Sequence, residues 1–543
     1  MKKKSICFFV LILWLLVAII TSTLAATQTK SQDTFIDAFR LIQYDKGSQP
    51  FGCRVTGLNS PITTQRLGGS SALSAARNVI MMKIEELLSS NKTSVQSILN
   101  REDVSGLLIV LPPKDDEISP NSIDQSRNIE KQFLVSTFDK PIYFIFQNEK
   151  TSEMLSYFEN LSEFSLLSES YQAVVSEGEA KPIDQIPVVN IFSTLQGKQT
   201  EKSQTIGIVA HYDSVSSIPG LATTFNADGS GMIGLLEVSR LFQKLYSIPS
   251  TKASHNLLFI LTGGSRLGFA GTKHWIKQTG PRLVNQLDFV LCLDSLTSRV
   301  NSRDDESFKL FMHISEKTND KNVINLYKHF VSTAKQLQIG LQFIEKKIDR
   351  ELVWEHEVFA KKGIVSATIS AQSVPSSSML TRTNSLDISK VDIDQLRKSI
   401  KLVSEALARH LYDIDHNIRF FEDENDKFIR AFIKNVENTS RFTPTLSKES
   451  DLVKTLKLTL QQFTSNDQTV QTQDFLLSNS AYKFYTNIKV KLSLLKVTPI
   501  TFDLILISSV IIYLLFLHIV LVGPKQVLFN IASLFEKQER KRK

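Results

Sequence analysis

The chain has 543 residues, of which 42% are hydrophobic, and its formal net charge is +8. Lys2, Lys3 and Lys4 contribute +3 and the residues from Gly523 onward contribute +4, which leaves about +1 for the long part between them. A nearly neutral middle part gives no electrostatic reason to expect nucleic-acid binding. With only three cysteines in so long a chain, a disulfide scaffold is excluded, and a hydrophobic core must hold the protein together.

The N-terminus has the pattern of a cleavable signal peptide over residues 1–25. Three lysines precede an uncharged apolar run from Ile6 to Ile20, and small residues up to Ala26 follow it. A signal anchor is the alternative, but an anchor needs about 20 apolar residues and this run is shorter. We therefore expect the mature chain to begin in the lumen of the secretory pathway.

The C-terminus has the pattern of one membrane-spanning helix followed by a basic tail. Residues 504–522 contain no Lys, Arg, Asp or Glu, and their length suits the roughly 30 Å hydrocarbon core of a bilayer. The tail, residues 523–543, is rich in Lys and Arg, which favour the cytoplasmic side. The sequence predicts a single-pass type I membrane protein with most of its mass in the lumen. In that compartment three sequons are candidate glycosylation sites: Asn91, Asn160 and Asn438.

Hydrophobic patterning divides the lumenal part into three regions. Residues 26–181 mix helical patterns with buried strands such as Leu107–Leu111 and Ile142–Phe146, which indicates an N-terminal α/β segment. Residues 182–412 alternate buried strands, such as Asn256–Leu261 and Lys309–Ile314, with amphipathic helices, such as Ile393–Leu411, which predicts an α/β fold built on a central sheet. Residues 413–503 are more polar, and we interpret them as a helical membrane-proximal region.

One stretch of the α/β region concentrates residues that can bind a metal. The strand Ile206–Ala210 ends in His211-Tyr212-Asp213, and Asp228 opens the next helix. Histidine and carboxylates at strand ends suit zinc, and a carboxylate behind a histidine can fix its tautomer. Ordinary turn chemistry is the alternative, because Asp, Asn, Ser and Gly are common in strand-to-helix loops.

These residues resemble the signature of the M28 family of co-catalytic zinc aminopeptidases. The resemblance extends over the α/β portion and implies an aminopeptidase-like mixed sheet flanked by helices. It also implies that His211, Asp228 and Asp294 stand at metal-ligand positions, and that Asp213 orients His211.

Other positions of the family pattern have lost their chemistry. Gly263-Gly264 stands where the resemblance implies two carboxylates, a general base and a ligand, and Arg382 stands where it implies the last histidine ligand. Glycine neither binds zinc nor accepts a proton, and a permanent cation opposes metal binding. We interpret the site as vestigial, with no catalytic residue, no bound metal and no cofactor. A zinc-dependent aminopeptidase with an atypical site is the alternative, and a receptor for free peptide termini is a third reading.

Several further stretches resemble the nicalin family of nicastrin-like membrane proteins. Examples are Gln49-Pro50-Phe51-Gly52-Cys53-Arg54 and Val353-Trp354-Glu355-His356-Glu357. The resemblance runs along nearly the whole chain. It implies a non-catalytic scaffold in the endoplasmic reticulum membrane that works with a nodal modulator-like protein and a small multi-pass membrane protein. It further implies a role at the ribosome-associated translocon in the biogenesis of multi-pass membrane proteins.

Two residues invite functional readings that we do not adopt. His356 stands in a cluster of acidic residues, but it lacks the paired histidine of a helical zinc motif, so we expect a packing and hydrogen-bonding role. Cys292 lies within an apolar run, and we expect a small core residue rather than a reactive thiol.

Overall fold

The structure is a computed structural model, and it describes sixteen stretches of the chain. They are residues 34–64, 77–89, 95–113, 123–160, 170–198, 203–222, 229–297, 308–316, 318–374, 392–414, 418–421, 426–436, 439–464, 469–478, 480–497 and 500–523.

The strands and helices alternate along most of the described chain. The strands are β1 Thr34–Arg40, β2 Gln43–Lys46, β3 Gln49–Cys53, β4 Leu58–Thr64, β5 Asn78–Lys83, β6 Val104–Leu111, β7 Thr137–Phe138, β8 Ile142–Phe146, β9 Ser170–Val175, β10 Pro182–Ile183, β11 Ile186–Leu195, β12 Thr205–His211, β13 Asn256–Thr262, β14 Leu287–Leu293, β15 Lys309–Ile314, β16 Gly340–Glu345, β17 Ser366–Ser370, β18 Gln471–Leu477, β19 Tyr482–Tyr485 and β20 Lys489–Val497. The helices are α1 Ile84–Ser89, α2 Val95–Leu99, α3 Ile123–Val135, α4 Glu149–Asn160, α5 Ser230–Tyr246, α6 Ala270–Gln278, α7 Pro281–Gln286, α8 Lys321–Gln336, α9 His356–Ala360, α10 Ile393–Tyr412, α11 Asp426–Val436, α12 Asp451–Thr464 and α13 Ile500–Val522.

An eight-stranded mixed sheet carries the candidate site. Its order is β16-β15-β17-β14-β12-β13-β11-β18, and the central strands β17, β14, β12 and β13 run parallel to one another. Parallel strands require crossover connections, and the helices that make them cover both faces of the sheet. The mixed sheet flanked by helices is the architecture that the sequence predicts.

Alternating side chains of the central strands feed two hydrophobic cores. From β13, Leu257, Phe259 and Leu261 pack on one face with helices α5, α8 and α10, whereas Leu258 and Ile260 pack on the other. The second face is covered by helices α6 and α9. Because both faces are buried, these strands appear in the sequence as continuous apolar runs, which is why their positions could be predicted.

A second sheet closes on itself and is completed by the end of the chain. Its order is β1-β20-β9-β4-β5-β6-β8, with β8 pairing back to β1. Strand β20 pairs antiparallel with β1 on one side and with β9 on the other. A small sheet of order β10-β19-β2-β3-β7 likewise combines strands from both ends of the chain.

The interpretation of residues 413–503 as a helical membrane-proximal region is wrong in its second half. Helices α11 and α12 are present, but β18, β19 and β20 follow them and join three different sheets. Strand β18 has an exposed, weakly alternating pattern, since it is the edge strand of the eight-stranded sheet. An edge strand lacks the long apolar run that marks a buried strand, so hydrophobic patterning predicts it only weakly.

The last helix, α13, includes the 504–522 segment for which a membrane-spanning helix was predicted. Among the residues that the structure describes, no helix is both long enough and apolar enough to cross a membrane. The helical conformation is confirmed, and the membrane crossing stays a prediction.

Candidate functional site

The candidate site lies where three neighbouring parallel strands end. Strand β12 ends at His211 and β13 at Thr262, and Asp294 follows directly after β14. Because β12 lies between the other two strands, the carboxyl ends of all three meet at one edge of the sheet. The structure therefore brings His211 and Asp294 together, and their role as remnants of a metal site stays a prediction.

The imidazole of His211 lies between two buried carboxylates. Its Nε2 is 4.0 Å from Oδ1 of Asp294, and its Nδ1 is 3.9 Å from Oε2 of Glu355. Asp294 is held in place by the hydroxyl of Ser370, which donates a hydrogen bond of 2.9 Å to Oδ2. The strand ends thus position a buried cluster of ionisable groups.

Glu355 is a site residue that sequence reasoning missed. It precedes helix α9 and is only 4% exposed, and its Oε1 accepts hydrogen bonds from the hydroxyls of Thr262 and Thr272. Burial raises the pKa of this carboxyl, while His211 and the two hydroxyls oppose the rise. No sequence pattern around Glu355 predicts a place in the site, because only the tertiary fold brings this turn next to β13.

Arg266 is the second missed residue, and it introduces a permanent cation. Its side chain is 1% exposed, and its Nη2 lies 3.5 Å from Nε2 of His211. Asp213 holds the turn that carries Arg266 in place. The backbone N–H of Ser265 donates to both carboxylate oxygens of Asp213, each at 3.1 Å. A signal was available in the sequence, since Arg266 is the single charged residue between Thr262 and Lys273.

Asp213 also takes part in the contacts that hold the segment around Thr443 against the site. Its Oδ2 accepts a hydrogen bond of 2.6 Å from the hydroxyl of Thr443, and the buried guanidinium of Arg441 donates to the backbone carbonyl of Tyr212 at 2.9 Å. Backbone hydrogen bonds between Ser214 and both Arg441 and Thr443 complete the junction. These contacts make Asp213 an anchor for two loops, whereas the sequence assigned it the orientation of His211.

Comparison with known proteins places this geometry in context. The model of peptidase family M28 matches residues 190–404. The BOS complex subunit ncln of Danio rerio is 26% identical over 524 residues, with 88% of each chain covered. Nicalin of Caenorhabditis elegans is 26% identical over 417 residues, with 70% of each chain covered. The crystal structure of the gamma-secretase component nicastrin has a TM-score of 0.61 at 11% identity, covering 85% of this chain and 99% of that chain.

The chain is nicalin-like, with an aminopeptidase-like fold. The matches to nicalin and to the BOS complex subunit cover most of each chain, whereas the M28 match is confined to the α/β portion. The likeness to nicastrin concerns the fold alone.

In this nicalin-like chain the glycine pair is not the part of its turn that reaches the site. The backbone N–H of Gly263 lies 3.3 Å from Oδ1 of Asn190, and a Cβ at Gly264 would meet Val188, so both glycines face the neighbouring strand β11. Gly264 also has a φ of +66°, a conformation that favours glycine. The side chain that reaches His211 from this turn is Arg266, which corrects the assignment made from the sequence.

Two predicted site residues, Asp228 and Arg382, lie outside the described residues. Of the three sequons, Asn91 and Asn438 also lie outside them, and Asn160 is the last residue of α4 with no described side chain. Their roles stay predictions.

The described residues do not fit the zinc that an M28 site implies. In the described stretches, no three His, Cys, Asp or Glu side chains come together in a way that could hold a metal ion. The guanidinium of Arg266 stands 3.5 Å from the imidazole nitrogen that faces Asp294, and a fixed positive charge there opposes a divalent cation.

The two residues set aside as structural behave as predicted. His356 is 1% exposed and its Nδ1 lies 2.8 Å from the hydroxyl of Thr368, so its packing and hydrogen-bonding role is confirmed. Burial lowers the pKa of His356 to about 3 and raises the pKa of the Cys292 thiol well above its usual value. Cys292 is buried in the core, as expected.

Proposed function

We propose that this chain is a non-catalytic, nicalin-like subunit of a membrane complex. The observation that carries the proposal is the buried guanidinium of Arg266, 3.5 Å from Nε2 of His211 at the strand ends where an M28 enzyme binds metal. A zinc ion bound to His211 would lie at a similar distance from this guanidinium. Two like charges so close repel by several kcal/mol at an effective dielectric constant of about 20. A site built around this arginine does not favour the metal ion on which the aminopeptidase reaction depends.

The relatives support a role in assembly with other proteins. The Danio rerio protein is named as a subunit of the BOS complex, and its match covers 88% of both chains. We propose a corresponding place for this chain in the endoplasmic reticulum membrane, with a nodal modulator-like protein and a small multi-pass protein as partners. The complex would assist the biogenesis of multi-pass proteins at the ribosome-associated translocon.

Affinity purification of the tagged full-length chain in mild detergent tests the assembly. We expect the two membrane partners to co-purify in constant ratio, together with ribosome-associated translocon components. Recovery of the chain alone under conditions that preserve other translocon assemblies would contradict the proposal.

Activity measurements test the lack of catalysis. The purified chain is assayed with a panel of aminoacyl substrates in the presence of added zinc, and its metal content is determined. We expect neither turnover above background nor stoichiometric zinc. A peptidase rate that disappears in His211→Ala would instead establish the zinc aminopeptidase alternative.

The proposed topology places residues 26–503 in the lumen and 523–543 in the cytosol, with one crossing at 504–522. Glycosylation gives a direct test: removal of each acceptor by Asn91→Gln, Asn160→Gln or Asn438→Gln should abolish one glycosidase-sensitive step in electrophoretic mobility. A chain whose mobility is unchanged by glycosidase and by all three substitutions would argue against lumenal exposure of the sequons.

A further inference from the structure

The buried acids of the candidate site need a counter-charge. Asp294 is 7% exposed, Glu355 is 4% exposed and Asp213 is 1% exposed, and all three lie around the end of strand β12. Removing a carboxylate from water costs several kcal/mol unless a cation or hydrogen-bond donors compensate. In a zinc enzyme the metal supplies that compensation. In this chain another positively charged group, or hydrogen-bond donors, must supply it.

Arg266 stands in the place from which a cation could do so. The Nη2 of Arg266 and Oδ1 of Asp294 lie 3.5 Å and 4.0 Å from the same atom, Nε2 of His211. The arginine is fixed there by its turn, because the N–H of the adjacent Ser265 is held by Asp213 and the N–H of Leu267 donates to the carbonyl of Gly264. A guanidinium held by its own backbone loses little freedom on meeting an anion.

The remaining acid is compensated in a different way. Glu355 accepts two hydroxyl hydrogen bonds, of 2.7 Å from Thr262 and 2.6 Å from Thr272. Arg266 therefore places a guanidinium beside Nε2 of His211, the nitrogen that faces Asp294, while two hydroxyl groups serve Glu355 beside Nδ1.

We propose that Arg266 is a built-in cation that takes over the electrostatic role of the metal in this site. This inference rests on the proposed non-catalytic function and goes beyond it. It assigns the stability of the strand ends to one side chain, and it predicts that a carboxylate in place of that side chain would restore a zinc-binding set with His211 and Asp294.

The test compares zinc binding by purified full-length variants in detergent, using Zn²⁺ alone as the probe. In Arg266→Glu the cation is removed and a carboxylate is supplied at once. Arg282→Glu is the matched control, because it makes the same change of charge at an exposed arginine of helix α7. A second control, Arg266→Glu with His211→Ala, removes a proposed ligand.

We expect Arg266→Glu to bind about one zinc per chain, at least about tenfold more tightly than the wild type and both controls. Equal zinc affinity in Arg266→Glu and Arg282→Glu would overturn the inference while leaving the proposed function intact. Stoichiometric zinc and peptidase activity in the wild type would instead overturn the proposed function.

A second variant keeps the inference testable if Arg266→Glu does not fold. In Arg266→Gln the cation is removed and no ligand is supplied, whereas Arg266→Lys keeps a positive charge at the same place. We expect the denaturant midpoint of unfolding to fall more in Arg266→Gln than in Arg266→Lys, because the buried acids lose a neighbouring cation only in the first variant. An equal fall in both variants would show a merely packing role and would contradict the inference.

Discussion

Thr443 contacts the candidate site although it lies 230 residues beyond Asp213 in the chain. Its hydroxyl donates to a carboxylate that is 1% exposed and that also holds the turn carrying Arg266. A hydrogen bond to a buried charged group contributes about 1.5–3 kcal/mol to stability. Thr443 therefore links residues beyond α11 to the edge of the main sheet.

The substitution Thr443→Val removes this hydroxyl and keeps the shape of the side chain. We expect a loss of about 1.5–3 kcal/mol in the free energy of unfolding, since Asp213 remains buried with one donor fewer. Thr443→Ser is the control, because it retains the hydroxyl, and it should lose much less. Equal denaturant midpoints for the valine and serine variants would contradict the role of the hydrogen bond.

His356 makes the stability of the fold dependent on pH. Burial lowers its pKa to about 3, whereas in an unfolded chain it takes up a proton near pH 6.5. The contribution of neutral His356 to the free energy of unfolding is therefore complete above pH 6.5. It is lost as the pH falls toward 3, by about 1.4 kcal/mol per pH unit. His410, whose pKa is lowered to about 4, acts in the same sense.

We expect the melting temperature to fall between pH 7.5 and pH 5.5. His356→Gln should weaken this dependence, because glutamine keeps a polar group toward Thr368 without titrating. Melting curves at several pH values provide the measurement. An unchanged slope in the variant would mean that other groups control the acid response.

At the residue scale, the sequence predicted those site residues that belong to one local pattern. His211, Asp213 and Asp294 stand at or just after the ends of apolar strands, and such positions can be predicted from periodicity and strand order. Glu355 could not be predicted in this way, because a turn before a five-residue helix brings it to the site. For Arg266 the segment was correct, but the backbone turn decides which of its side chains points inward.

At the scale of elements, helix α5 begins in direct contact with the end of strand β14. A Cβ at Gly231 would lie 2.3 Å from the carbonyl oxygens of both Leu293 and Asp294. The hydroxyl of Ser230 accepts a hydrogen bond of 2.7 Å from the N–H of Leu296. The start of the helix therefore fixes the backbone that presents Asp294.

Gly231→Ala should consequently destabilise the fold, because backbone atoms cannot move aside as a flexible side chain can. We expect the free energy of unfolding, measured by thermal denaturation, to fall by about 1–3 kcal/mol or more. Gly280→Ala is the matched control: its Cβ would meet nothing within 4 Å and its φ is −60°, so its effect should stay within about 0.5 kcal/mol. Equal stability of the two variants would disprove the close packing.

Most elements of the main sheet were predictable, and those at its margin were not. The predicted strands Asn256–Leu261 and Lys309–Ile314 differ from β13 and β15 by at most one residue. Helix α10 begins at the predicted Ile393 and ends one residue beyond the predicted Leu411. Strands β18 to β20 escaped prediction because they are partly exposed and their partners lie far away in the sequence, so no local apolar run identifies them.

At the scale of the whole molecule, the two ends of the described chain are interleaved. The closed sheet contains β1 and β20, and the small sheet contains β2 and β19. The predicted boundary at residue 181 therefore does not delimit a unit that folds by itself, since the N-terminal segment needs strands from the region after residue 480. Hydrophobic periodicity could not show this, because it identifies elements without their partners.

Truncation tests this dependence. A chain that ends after residue 487 lacks β20 and leaves unpaired edges on β1 and β9, so we expect aggregation or rapid proteolysis. A chain that ends after residue 499 retains β20 and should stay folded. Limited proteolysis of both proteins gives the measurement, and equal resistance would show that β20 is dispensable.

The pairing of Thr34 with Leu494 also sets an order of events during synthesis. The first strand must wait for 460 residues to be added before its partner exists. At about 5–20 residues per second, that interval is roughly 20 to 90 seconds. Throughout it one edge of β1 remains open to incorrect pairing, so the nascent chain has a specific need for protection by chaperones until β20 has been made.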